Sequence, residues 1–166
     1  MDMGTGSGFL AVEIASEPHV DEVVAVDVDP EAVREAVKRA EEAMVADKIE
    51  FVVSDLFRGL EGRRFDWILF NPPYLPSDGA ADEASWAGGK VGDETTMRFL
   101  HEAGGHLEPD GAIILVYSSH TSLDLEEVEK MYTVHKLGES PLFFERLACL
   151  MLEPISPSGT RDRSRR

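Results

Sequence analysis

Three features of this 166-residue chain predict an α/β sandwich built on a mostly parallel β-sheet. Short β-rich runs alternate with segments of helical periodicity. The runs are almost continuously apolar, as strands covered on both faces must be. Glycines or aspartates stand just beyond several of them, where such sheets bind ligands at the C-terminal ends of their strands.

The elements follow in chain order. Asp2-Met3 leads into the loop Gly4-Thr5-Gly6-Ser7-Gly8, and residues 9–16 read as a helix. Residues 22–28 (EVVAVDV) read as a buried strand. Asp29 is an N-cap with Pro30 at the first helical position, a place where proline's missing N–H costs nothing. The helix that follows is expected to bury Val33, Ala36, Val37, Ala40 and Met44, which share one face at helical spacing. Residues 49–53 and 65–70 are strands, and the second ends in Asn71-Pro72-Pro73-Tyr74. A polar, Gly-rich loop is expected over 75–93, then a helix over 95–103, a strand over 111–117 and a helix over 123–132. Strands at 133–137 and 147–152, joined by a loop containing Gly138 and Pro141, close the fold. No helix separates these last two, so at least one runs antiparallel to its neighbours. The domain is placed at residues 1–152, with a disordered polar tail over 153–166.

Composition narrows the function. The single cysteine, Cys149, lies in the apolar run LACLML and reads as an inert core thiol. The five histidines show no metal-ligand spacing, so no intrinsic metal site is expected. There is no secretory pattern and no apolar run of spanning length, which reads as cytoplasmic. The net charge of −16 repels phosphate backbones, and it fits either a solvated acidic surface or a halophile's.

The glycine loop is not the dinucleotide fingerprint, because Phe9 stands where its last glycine belongs. A pyrophosphate would also be repelled by Asp2. An acid there suits a ligand with a positive end, such as an amino-acid ammonium. Gly4, Gly6 and Gly8 allow close approach of a ligand to the backbone. Asp27, nineteen residues after Gly8, can accept both hydroxyl protons of a ribose. Asp55 can accept a proton from an adenine amino group, with Leu56 and Phe57 placed to sandwich the ring. Each acid taken alone can equally be a helix cap or a solvated charge. Taken together, ribose, adenine and a cationic amino-acid end describe S-adenosylmethionine.

The segment Asn71-Pro72-Pro73-Tyr74 supplies a reaction. Two prolines stiffen the turn and remove two donors, leaving acceptors. The Asn71 side-chain oxygen and the Pro72 carbonyl can accept both hydrogens of one NH2 group. Holding them out of plane localises the lone pair of an otherwise delocalised nitrogen, and Tyr74 can stack on the planar group. Asn71 also borders the cofactor. Catalysis is then orientation and electrostatics, with proton loss after attack.

The motifs DMGTGSG, AVDVDP, SDLF and NPPY, in this order, resemble a class I S-adenosylmethionine-dependent methyltransferase of the HemK type, over about residues 2–152. The resemblance implies a Rossmann-like class I methyltransferase fold with a C-terminal antiparallel strand and, here, a truncated first strand. Trp86-Ala87-Gly88-Gly89 followed by Gly92 is similar to the short archaeal and eukaryotic branch, which methylates the glutamine of the GGQ motif in class I release factors. The resemblance implies that Asn71 and Pro72 bind the glutamine amide, Tyr74 packs on it, Asp27 holds the ribose and Asp55 the adenine end. It also implies a small zinc-ribbon activator that adds a strand to the sheet, expected at the edge near Glu50–Val53. Two other readings stay open. One is an adenine amino methyltransferase on DNA or RNA, against which the charge and the lack of a recognition domain stand. The other is a binding partner without activity, because a short first strand weakens cofactor binding.

Overall fold

The computed structural model describes residues 1–72, 94–119, 123–142 and 145–155. The expected loop over 75–93, Pro73, Tyr74, the WAGG stretch and residues 156–166 lie outside the described residues.

A seven-stranded sheet in the order β3-β2-β1-β4-β5-β7-β6 forms the centre. Its members are β1 (Asp2–Met3), β2 (Val23–Asp27), β3 (Ile49–Val53), β4 (Phe65–Phe70), β5 (Leu107–Ser118), β6 (Tyr132–Leu142) and β7 (Glu145–Pro154). The first five strands pair in parallel, and β7 is antiparallel to both β5 and β6. The helices are α1 (Phe9–Ala15), α2 (Pro30–Glu42), α3 (Glu94–Ala103) and α4 (Leu125–Met131). None of them is long and apolar enough to cross a membrane.

Two apolar clusters hold the layers. Ala11, Val12 and Ala15 of α1 pack with Ala40 of α2 against Val23, Ala25 and Ile49. Phe99, Leu100 and Ala103 of α3 and Val128 of α4 pack with Ile68, Phe70, Ile113, Leu115, Leu150 and Leu152. Val33, Ala36 and Ala40 are the buried stripe of α2, while Val37 is half-buried.

Four expectations are corrected. Met44 does not join the core, because α2 ends at Glu42 and Met44 takes a left-handed conformation (φ 59°) at 88% exposure. Gly138 and Pro141 are not in a loop but inside β6. Gly138 sits at a register shift against β7, and Pro141 is tolerated because β6 is the sheet's edge strand. The folded domain passes residue 152, since β7 runs to Pro154 and the Ile155 N–H donates to the Met131 carbonyl at 2.9 Å. Cys149 is half-buried in β7 rather than in the core, and burial raises its thiol pKa, away from the reactive thiolate.

Gly8 shows why the loop and α2 need a glycine. Its φ is +77°, and a Cβ there would lie 2.7 Å from the Ala36 Cβ and 2.8 Å from its Cα. Gly59 has a similar φ of +82° but open space around it. Gly8→Ala is therefore expected to cost roughly 2–4 kcal/mol in urea unfolding, from clash plus backbone strain. Gly59→Ala should cost only the strain, roughly 1–2 kcal/mol. Equal losses would show that close packing against α2 is unimportant.

Candidate functional site

The strand registers assemble the site. Met3 pairs with Val26 on one side and Phe70 on the other, so the next residues, Gly4, Asp27 and Asn71, stand level at the C-terminal edge. Asp27 pairs with Val53, which brings Ser54 and Asp55 to the same edge. Neighbouring strands are about 4.8 Å apart, so Asp27 and Asn71 flank Gly4 at a separation of about 10 Å. Side chains far apart in sequence thus share one rim, with the glycine loop between them.

The loop is built by its own hydrogen bonds. The Thr5 N–H donates to the Val26 carbonyl at 2.8 Å and the Gly8 N–H to the Thr5 carbonyl at 2.9 Å. The Gly6 N–H donates to Asp27 Oδ2 at 2.8 Å. From α2, Arg39 Nε donates to the Ser7 carbonyl at 2.8 Å. The N–H groups of Thr5 and Gly8 are therefore spent on backbone carbonyls, and that of Gly6 on the Asp27 carboxylate. A phosphate-binding loop does the opposite, aiming its N–H groups at the ligand.

Asp2 lies behind the loop. It is 1% exposed, and its Oδ2 accepts the Thr5 hydroxyl at 2.7 Å and the Ala11 N–H at 3.1 Å. Gly8, the N-cap of α1, has no side chain to cap with. The Asp2 carboxylate caps the helix instead, from the third position of its first turn. The ammonium contact expected of Asp2 is thus replaced by an internal role in supporting the loop. Burial pushes its pKa up to about 6, against the lowering effect of its two hydrogen bonds.

Asp27 ends β2 with its carboxylate at the rim. Oδ1 accepts the Asp29 N–H at 3.0 Å and Oδ2 accepts the Gly6 N–H. Each oxygen keeps a lone pair for a hydroxyl donor. A hollow of about 600 Å³ opens beside it, bounded by Gly6, Ser7, Asp29 and the first turns of α2.

Asp55 follows β3 and is held from two sides. Arg98 Nη2 of α3 donates to Oδ1 at 3.1 Å and Oδ2 at 3.0 Å, and Arg58 Nη1 lies 3.4 Å from Oδ2. Leu56 beside it adopts φ 52°, a left-handed conformation costly for leucine, and is buried. Phe57 is in the core, stacked on Phe99 at 5.6 Å and on His106 at 4.3 Å. The expected ring sandwich therefore does not include Phe57, whose ring supports the turn from below. Asn71 is exposed and Pro72 buried directly after β4. Tyr74 lies outside the described residues. Sequence reasoning missed Arg98, Arg39 and Thr5. Thr5 was legible in its motif, whereas the two arginines reach partners 43 and 32 positions away.

A family model described as the methyltransferase small domain matches residues 1–139. The chain belongs to this family. Methyltransferase relatives include a protein named as an N5-glutamine methyltransferase from Methanocaldococcus jannaschii, 35% identical over 138 residues. Others are a release factor glutamine methyltransferase from Koribacter versatilis, 32% identical over 149 residues, and a ribosomal protein uL3 glutamine methyltransferase from Xanthomonas campestris, 31% over 156. The alignments cover 79%, 82% and 86% of this chain but 66%, 52% and 50% of those proteins, so the chain spans less than two thirds of each. The E. cuniculi Mtq2–Trm112 complex, responsible for the methylation of the eRF1 translation termination factor, shares the fold. Its TM-score is 0.67 at 21% identity, covering 93% of this chain and 83% of that one.

The methyltransferase family and fold imply S-adenosylmethionine as methyl donor. The residues present fit it. The N–H groups of Thr5, Gly6 and Gly8 are already paired, while Asp27 offers acceptors for hydroxyls and the rim is acidic, which favours a cationic ligand.

The buried acid of the methyltransferase loop carries a pH signature. Asp2 has a raised pKa, so the folded state holds its proton up to about pH 6 while the unfolded chain releases it near 3.8. Between these values the folded state binds more protons, so stability falls as pH rises and the loss is complete above about pH 6. The difference amounts to about 2–3 kcal/mol. Asp2→Asn keeps an acceptor for Thr5 and Ala11 but cannot titrate. Urea midpoints from pH 4 to 7 should show wild type losing stability relative to Asp2→Asn across that window. Parallel pH profiles would refute the buried, uphill ionisation of Asp2.

Proposed function

We propose that this chain transfers the methyl group of S-adenosylmethionine to the side-chain amide nitrogen of a protein glutamine, with the GGQ glutamine of a class I release factor as substrate. The observation that carries the reading is the shared level of Asp27, Gly4 and Asn71, set by the registers on either side of β1. It puts an acceptor for ribose hydroxyls and the first acceptor of the NPPY segment on opposite sides of one loop. The glutamine methyltransferases among the relatives support the amide as acceptor group, and both release factors and uL3 stand among the substrates they are named for.

In this reading the cofactor supplies an electrophilic methyl group on a sulfonium. Asn71 Oδ1 and the Pro72 carbonyl accept the two N–H hydrogens of the amide, which turns its lone pair out of conjugation. Tyr74 packs against the amide plane. Asp27 binds the ribose and Asp55 the adenine amino group, while Leu56 borders the ring. Asp2, Gly4, Gly6 and Gly8 shape the loop against which the amino-acid end rests. S-adenosylmethionine held there would supply its methyl group to the nitrogen and leave as the neutral thioether, and the nitrogen would give up a proton to water. Orientation and charge placement supply the acceleration.

Tritiated methyl transfer tests the chemistry. A release factor should be labelled, and Asn71→Ala should lower kcat by roughly 10²-fold or more, the scale for losing a group that orients the reacting atoms. Full activity in Asn71→Ala would refute the assignment. Labelling of uL3 alone would move the substrate, and labelling of DNA or RNA alone would favour adenine methylation.

The sheet edge suits a small partner, for which we propose the activator subunit with its zinc ribbon. β3 pairs only with β2 among the described strands, and it carries neither Pro nor Lys. The Ser54 N–H donates to the Asp27 carbonyl, so alternation along β3 points the N–H groups of Phe51 and Val53 out at the open edge. Val53, 55% exposed, is the better probe. Val53→Pro should abolish co-purification of the activator while the isolated chain keeps its melting temperature within a few degrees. Undiminished co-purification would exclude this edge as the interface.

A further inference from the structure

α3 meets the turn after β3 at two points. In the core, Phe99 stacks on Phe57. At the rim, the preceding residue, Arg98, places one nitrogen within 3.1 Å of both oxygens of Asp55. Arg58 also approaches Asp55, at 3.4 Å, but belongs to the same turn and cannot fix it against another element. The Asp55 side chain is one-third exposed, so without Arg98 it would sample several rotamers in water. The direction of this carboxylate is set by its contacts with Arg98 and Arg58.

We infer that Arg98 is a positioning residue for recognition of the cofactor's adenine amino group. It clamps both Asp55 oxygens in one orientation and leaves their outer lone pairs to accept the amino proton. The inference rests on the reading of Asp55 as the adenine-end acceptor. A clamp of this kind acts on base discrimination, because a nucleoside with a 6-oxo group offers no amino proton to Asp55.

The experiment measures binding of S-adenosylhomocysteine and of its 6-oxo analogue, S-inosylhomocysteine, to the full chain by calorimetry. Wild type, Arg98→Met, Arg98→Lys and Asp55→Ala are compared, with melting curves recorded for each. Arg98→Met should weaken S-adenosylhomocysteine about tenfold, the scale of one charge-supported hydrogen bond, and change the 6-oxo analogue less than about twofold. Arg98→Lys, which keeps the charge but not the planar donor set, should recover part of the discrimination. Equal weakening of both ligands by Arg98→Met, or tighter binding of S-adenosylhomocysteine, would overturn the positioning role. If Arg98→Met does not fold, full discrimination in a folded Arg98→Lys overturns it and partial discrimination supports it. Asp55→Ala, which removes the acceptor, separates the two readings. If it leaves discrimination intact, the assignment of Asp55 fails and this proposal falls with it. If it removes discrimination while Arg98→Met does not, only the role of Arg98 fails.

Discussion

The whole site hangs on one buried carboxylate oxygen. Asp2 Oδ2 receives the Thr5 hydroxyl and the Ala11 N–H and so joins the central strand, the loop and α1 in a single node. Its negative charge sits at the start of α1, where the helix dipole favours it. The cost is an acid removed from water, visible in its raised pKa. That arrangement releases Gly8 from capping duty and lets it serve as the contact against Ala36, which no larger residue could make.

The node also decides the electrostatic character of the loop. With the N–H groups of Thr5, Gly6 and Gly8 satisfied internally, the backbone offers little to an anion. Asp27 shares in this, since it accepts the Gly6 N–H through one oxygen and the Asp29 N–H through the other. A Gly-rich loop is therefore not a phosphate loop by composition. The direction of its N–H groups, set by what lies behind it, determines the sign of the ligand it suits.

The two ends of the site share a floor. Phe70 precedes Asn71, Phe57 lies two residues after Asp55, and Phe99 packs on both rings, with His106 continuing the stack beyond Phe57. These aromatic side chains fill the core under the rim, so the end of β4 before Asn71 and the turn holding Asp55 rest on the same helix, α3. Close packing of this sort transmits small shifts with little loss. Gly4 fits the same floor, since a Cβ there would already touch the Phe70 ring at 3.4 Å.

Strand positions were legible from local pattern. The runs at 49–53 and 65–70 fall where the structure places β3 and β4, because continuous apolar runs bounded by polar turns have few other uses. Asp29-Pro30 marked the start of α2, since capping chemistry is local and the Asp29 carboxylate does accept the Glu31 N–H. The chain's own residues thus determined the order of its elements and the acids and amide that stand at the C-terminal edge of its strands. Tertiary structure decided where each of these points. Met44 has the right spacing for the core but lies past the helix end, Phe57 turns inward because Phe99 and His106 are there to receive it, and Asp2 faces Thr5 and Ala11 instead of a ligand. Arg98 had no signal at all, because its partner Asp55 comes within reach only once α3 has packed over the sheet. Periodicity and capping are interactions between near neighbours in the chain, whereas the direction of a side chain at a strand end depends on atoms that only folding brings close.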